Sequence, residues 1–305
     1  MPAEGDGDRP RRGGIVLVGT PIGNLGDLSP RAVRALAEAD VIACEDTRVT
    51  RKLLTHAGIT GRLLVAMHGH NEAAAATDLV ARAEAGAVVA VVTDAGMPAI
   101  SDPGARVVAA AVEAGVAVEV VPGPSAPVAA LVVSGLPTDR FVFDGFLPRK
   151  GGERGARLAA IGAEPRTVVL LESPHRVRAT LGNLLTSCGP ERRVAIVREL
   201  TKLHQEVWRG TLSGAVEWMA SVTPRGEYVI VVAPAPQSTP AHIEVGGPAV
   251  DDSTIAAAVA ARLGAGDSPK DAVAAVTAAL GVPRRRVYDV TVALRKAGGQ
   301  ERGPQ

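Results

Sequence analysis

From Gly14 to about Val121, short β-branched runs alternate with stretches in which apolar residues recur every three or four positions, so strands and helices are expected in turn. Ile15–Val18 predicts a strand. Ser29, with Pro30 behind it, marks the start of a helix through Ala39, since proline at the first helical position gives up an amide that has no partner anyway. Val41–Cys44, Leu63–Ala66, Val88–Thr93 and Val116–Val121 predict further strands, with helices over Thr50–Ala57, Asn71–Ala85 and Gly104–Ala114. Strands this uniformly apolar need cover on both faces, which predicts a mostly parallel sheet between two helical layers.

After Pro122-Gly123-Pro124-Ser125 an apolar helix runs to Ser134, and Gly135-Leu136-Pro137 predicts a domain junction. A second alternation follows: strands at Phe141–Phe146, Thr167–Glu172, Arg193–Arg198, Val207–Arg209 and Glu227–Ala233, and helices over Glu153–Ile161, after Pro174 and over Ser213–Ala220. Pro234–Pro248 has the composition of a linker. From Asp252 to Ala297 the pattern predicts three short helices, with Pro269 and Pro283 at helix starts and Ser268 as a cap. The expected layout is a disordered leader (1–12), two α/β domains (13–136 and 137–235), a linker (236–250) and a small helical module (251–298).

With 47% hydrophobic residues in 305, the chain can bury a substantial core, and with 2% aromatics that core is aliphatic. A net charge of +1 excludes a global field for nucleic acid, so any such affinity must come from local patches. Cys44 and Cys188 stand alone, match no metal or redox spacing, and point to a reducing, cytoplasmic compartment. The most apolar run, Ala126 to Leu136, is too short for the roughly 20 residues of a membrane helix.

Two turns carry the candidate chemistry. Val18-Gly19-Thr20-Pro21-Ile22-Gly23-Asn24 and Thr93-Asp94-Ala95-Gly96-Met97-Pro98 each follow a predicted strand and break into residues that let backbone approach a ligand. Neither has the spacing of a dinucleotide fingerprint or a phosphate loop. Two such turns predict one site at the carboxyl ends of neighbouring strands. Asp94 and Asp102 would supply carboxylates, Pro21 a rigid apolar contact, and Ser125-Ala126 free amides at a helix start. Glu172 follows the apolar run Val168–Leu171 and is expected in a cleft; Glu227 after Gly226 reads equally as a strand-edge charge. His68 and His70, without a third ligand, make a poor zinc site, so no metal is expected; His56 and His242 are expected at the surface.

Together with Glu45-Asp46-Thr47-Arg48, His68-Gly69-His70-Asn71-Glu72, Val121-Pro122-Gly123-Pro124-Ser125-Ala126, Gly145-Phe146-Leu147-Pro148, Glu172-Ser173-Pro174-His175-Arg176 and Glu199-Leu200-Thr201-Lys202, these turns resemble the 16S rRNA cytidine-2′-O-methyltransferases of the tetrapyrrole-methylase superfamily. The resemblance spans residues 14–233 and extends to the tail; Met97 stands where that family more often has threonine.

The resemblance implies two α/β domains with S-adenosyl-L-methionine in the cleft between them, a homodimer, and a cytidine of the decoding region as target. It implies a cofactor set of Pro21, Asp94, Gly96, Met97, Ile100, Ser101, Asp102, Ser125, Ala126, Leu171, Leu200 and Glu227. Glu45 or Glu172 would accept the ribose hydroxyl proton, with Arg48 and Arg176 on phosphates. His68, Asn71, His175 and Lys202, with Arg149, Lys150 and Arg154 and the Arg284, Arg285, Arg286 cluster, would face 16S rRNA in the small ribosomal subunit. Two rivals stand beside this reading: a methylase of a small tetrapyrrole, and a ribosome-assembly binder without enzymatic activity, which has no need of the methyl donor.

Overall fold

The computed structural model describes residues 13–236 and 251–299; the leader, most of the linker and His242 lie outside them. Among the described residues, ten strands and eleven α-helices follow in the order β1 (Gly14–Val18), α1 (Pro30–Glu38), β2 (Val41–Cys44), α2 (Thr47–His56), β3 (Leu63–Ala66), α3 (Glu72–Glu84), β4 (Val88–Val91), α4 (Ala105–Glu113), β5 (Val118–Val121) and α5 (Ala126–Ser134). Then come β6 (Phe141–Phe146), α6 (Gly152–Ala163), β7 (Thr167–Glu172), α7 (Val177–Cys188), β8 (Arg193–Arg198), β9 (Glu206–Thr211), α8 (Leu212–Ser221), β10 (Tyr228–Val232), α9 (Asp252–Gly264), α10 (Pro269–Leu280) and α11 (Arg284–Gly299).

The first sheet has the order β3-β2-β4-β1-β5 and every pairing in it is parallel. Successive residues of β4 serve opposite faces: Val88 and Ala90 join Val16, Leu36, Ile42 and Leu53 on one side, while Val89 and Val91 join Ile15, Leu79, Val80 and Val107 on the other. Burial on both faces is why β1, β2 and β4 carry no polar alternation, whereas the edge strands β3 and β5 are partly exposed.

The second sheet, β6-β7-β10-β8-β9, is mixed. β6 and β7 run parallel, but β10 lies antiparallel between β7 and β8, and β9 is antiparallel to β8. One face packs on α6, α7 and α8 through Leu158, Leu181 and Leu212. The other takes Ala130 and Leu131 of α5, and Ile22 from the first turn joins that cluster. Both sheets thus belong to one compact unit ending at Ala235.

Most predicted elements are present, with informative shifts. Helix α1 starts at Pro30, its cap Ser29 accepting the Ala32 amide. Helix α2 starts at Thr47 rather than Thr50, because Asp46 caps it by accepting the Arg48 amide. Strand β9 runs over Glu206–Thr211, longer than its apolar centre suggested, since pairing with β8 recruits its polar ends.

The second unit, described by itself, is a three-helix module around Ile255, Val259, Val273, Val276 and Val287. Asp251 and Ser268 cap α9 and α10, and Arg286 pairs with Asp252, tying the start of α11 to that of α9. Among the described residues no helix is long and apolar enough to cross a membrane.

Candidate active site

The two glycine-proline turns meet. Thr20 donates its amide to the Gly96 carbonyl at 2.9 Å and accepts the Gly96 amide at 3.2 Å, while its hydroxyl donates to the Thr93 carbonyl. A third turn closes on them: a Cβ on Gly19 would lie 2.6 Å from Gly123 Cα, so the backbones after β1 and β5 touch only because both residues are glycine.

The loop after β4 is held in costly backbone. Ala99 and Ser101 have φ of 70° and 63°, the left-handed region that non-glycine residues avoid. Glu72, nearly buried at the start of α3, braces it: Oε1 accepts the amides of Gly104 at 2.8 Å and Arg106 at 3.0 Å, capping α4 from outside. Sequence reading gave Glu72 no such role, because nothing local links it to α4.

These turns enclose a cavity of about 420 Å³. Glu45, at the end of β2, and Asp94, Gly96, Met97, Ile100, Ser101 and Asp102 form one wall. Ser125 and Ala126 at the start of α5 form another, and Ser125 makes no side-chain cap, leaving first-turn amides free. Leu171, Glu172 and Glu227 line it from the second sheet. Ile22, Pro127, Phe146, Tyr228 and Val229 also line it without having been singled out as site residues. A signal existed for Ile22, which follows Pro21, and for Phe146, which stands in the Gly145-Phe146-Leu147-Pro148 motif.

Two expected members lie elsewhere. Pro21 lines a separate cavity on the other side of the first turn, and Leu200 is buried in the core with Val197 and Val229.

The electrostatics are dominated by carboxylates. Burial, then the neighbouring charges of Glu45, Asp94 and Glu227, pushes Asp102 up to about 6. Burial also raises Glu45, with Asp94 adding to it and His68 opposing. Asp94 is raised for the same first reason, although the Asp46 amide it accepts works the other way.

Glu172 differs. It is 2% exposed, its Oε1 accepts the Ser173 amide at 2.8 Å, its Oε2 accepts the Thr180 hydroxyl at 2.6 Å, and Arg176 lies 3.5 Å away.

The basic candidates divide the same way. Arg48 chelates Asp46 on the surface, and Arg176 donates to the Leu147 carbonyl. Arg154 is spent on Pro148, Thr180 and Asn183. Lys202 bridges Glu199 and Glu227. Asn71 shapes its own turn, accepting the His68 amide and donating to Ala66. His68, Arg149, Lys150, His175, Arg284 and Arg285 are exposed. Among the described residues no group of three or more His, Cys, Asp or Glu is placed to hold a metal.

The fold that joins a parallel sheet to a mixed one is shared with solved methyltransferases. The model of the family described as Tetrapyrrole (Corrin/Porphyrin) Methylases matches residues 14–216, and the chain belongs to that family.

Its curated relatives narrow the group. The chain is 44% identical over 289 residues to the "Ribosomal RNA small subunit methyltransferase I" of Mycobacterium tuberculosis, covering 94% of this chain and 97% of the relative. It is 48% identical over 231 residues to the protein of the same name from Synechocystis sp., covering 75% and 82%. Among solved structures it is similar to a uroporphyrin-III-C-methyltransferase from Thermus thermophilus, at 26% identity and a TM-score of 0.53 over 73% of this chain and 94% of that one. A Thermus thermophilus uroporphyrin-III C-methyltransferase complexed with S-adenyl homocysteine shares the fold at 24% identity and a TM-score of 0.51, over 72% and 97%.

Proposed function

We propose that this methyltransferase uses S-adenosyl-L-methionine to methylate the ribose 2′-hydroxyl of a cytidine in 16S rRNA, acting on the assembled small subunit. The observation that carries the reading is the cavity that Glu45, Asp94 and Asp102 line together with apolar Ile22, Met97 and Leu171. The donor is cationic at sulfur and at its amino group, with a flat adenine and a carboxylate. The Asp94 and Asp102 carboxylates suit the cations, the aliphatic side chains suit the ring, and the free amides of α5 suit the carboxylate. When bound, S-adenosylmethionine supplies a methyl group activated by its positively charged sulfur.

Glu45 is the residue for the hydroxyl proton. It lines the cavity, has no hydrogen-bonded partner among the described residues, and burial raises its pKa toward the working range of a base. Glu172, with both oxygens engaged, is the positioning partner that fixes the turn from β7 to α7.

The exposed Arg149 and Lys150, and Arg284 and Arg285 on the helical module, offer cations for RNA phosphates. The reading includes a homodimer in the cytoplasm; Val128 and Val132, one turn apart on α5 and largely exposed, give it an apolar face to cover.

The test is labelled-donor transfer to small subunits, naked 16S rRNA and a reduced tetrapyrrole, with calorimetry of donor binding in the absence of added metal. Label in an alkali-resistant cytidine dinucleotide from the subunits is the expected result. Label in the tetrapyrrole alone, or no donor binding at all, overturns the reading in favour of its two rivals.

A further inference from the structure

A second cavity, of about 260 Å³, lies across the first turn from the main one and shares Asp94 with it. The turn is the partition, with Pro21 lining the second cavity and Ile22 the first. Leu25, Val49 and Leu53 make its other walls aliphatic, and Leu25 and Val49 keep 45% and 37% of their surface exposed. Exposed aliphatic side chains flanking a hollow suit a flat apolar face.

Charge reaches this slot at two points. Asp94 accepts the Asp46 amide through Oδ1, and Oδ2 has no protein donor among the described residues. Lys52 has no ion-pair partner among them either, and it stands on α2 beside exposed Arg51.

We infer that this slot takes the nucleobase of the nucleotide being methylated, with the cytosine amino group on Asp94 and the strand's phosphate on Lys52. This rests on the reading of the chain as an RNA ribose methyltransferase. A carboxylate accepts from the exocyclic amino group of cytosine, whereas uracil presents a carbonyl at that edge and is repelled. A base enters such a slot only once unstacked, and aliphatic walls replace part of the stacking it gives up. Because Asp94 borders both cavities, a base held there leaves its sugar beside the wall that carries Glu45.

Val49→Trp and Leu25→Trp fill the slot at positions exposed enough to accept the change. Each is assayed with small subunits carrying cytidine or uridine at the target, alongside calorimetry with S-adenosylhomocysteine. The wild-type chain should prefer cytidine by about 10- to 100-fold, as expected for one good base contact. Both tryptophan variants should bind S-adenosylhomocysteine within about twofold of wild type yet lose roughly 30-fold or more in kcat/KM on cytidine subunits. Full activity in either variant overturns the slot, as does equal use of uridine by the wild type. Weakened S-adenosylhomocysteine binding overturns it too, by giving the slot to the donor. A wild-type chain that methylates no RNA overturns the functional reading instead, so the two failures are distinct.

Discussion

The main cavity has two walls that use their carboxylates differently. On the first-sheet wall, Glu45 and Asp102 have no hydrogen-bonded partner among the described residues and Asp94 accepts a single amide, so burial lifts all three. On the second-sheet wall, Glu172 is saturated by Ser173, Thr180 and Arg176, and Glu227 is held by Lys202. One wall keeps acceptor capacity for a ligand; the other spends it on fixing loops. Topology explains the split. The parallel sheet delivers the carboxyl ends of β1, β2, β4 and β5 to one edge, where short turns hang free. In the mixed sheet, the end of β7 meets the start of the reversed β10, pairing Glu172 with Tyr228, and the site is bracketed by loops that need tying together.

The sharpest way to break this contrast is to neutralise one glutamate from each wall. Glu45→Gln should lower the single-turnover methylation rate by about 10²- to 10⁴-fold while donor affinity and the melting temperature stay near wild type. A loss under about tenfold would mean that proximity alone drives the reaction. Glu172→Ala should act on stability first, because it strands a part-buried amide and a buried hydroxyl; about 2–4 kcal/mol is expected from the denaturant midpoint. A stable Glu172→Gln protein with abolished chemistry, beside an active Glu45→Gln protein, would reverse the assignment of the walls.

The same contrast marks what the sequence made legible. β-branched runs located the central strands β1, β2 and β4 of the parallel sheet, because strands buried on both faces leave an unbroken apolar signature. The junction of the two turns was readable as well, since each ends a strand and such ends share an edge; the Thr20–Gly96 bridge is that junction. Contacts set by tertiary pairing left no local trace. The register that puts Tyr228 opposite Glu172 joins residues far apart in the chain, and Glu72 caps a helix it does not belong to. Pro21 and Leu200 belonged to recognisable motifs, but side-chain direction sends one to the second cavity and the other into the core. Charge patterning located the arginines and not their partners. Arg154 and Arg176 turn inward to carbonyls and side chains, while Arg149 and Arg284 face solvent.

The smallest expected effect sharpens the first wall alone. Asp102 stands at about 6, mainly through burial. A cationic donor favours the carboxylate over the acid, so its affinity should fall as pH drops through about 6, by up to about tenfold between pH 7 and pH 5. Stability of the empty protein runs the opposite way. A carboxyl whose folded pKa is raised contributes stability that is fully present below its ordinary value of 3.8 and lost as pH rises through about 6. Asp102→Asn removes the titration, so the empty variant should melt above wild type at neutral pH and below that advantage in acid. Its donor affinity should be weaker at neutral pH and nearly flat across pH 5–7, with a residual slope from Asp94, whose value is also raised. Calorimetry and thermal melts over that range measure both. An acid step in donor affinity that survives in Asp102→Asn would move the titration to another group and leave the first wall without its most strongly shifted carboxylate.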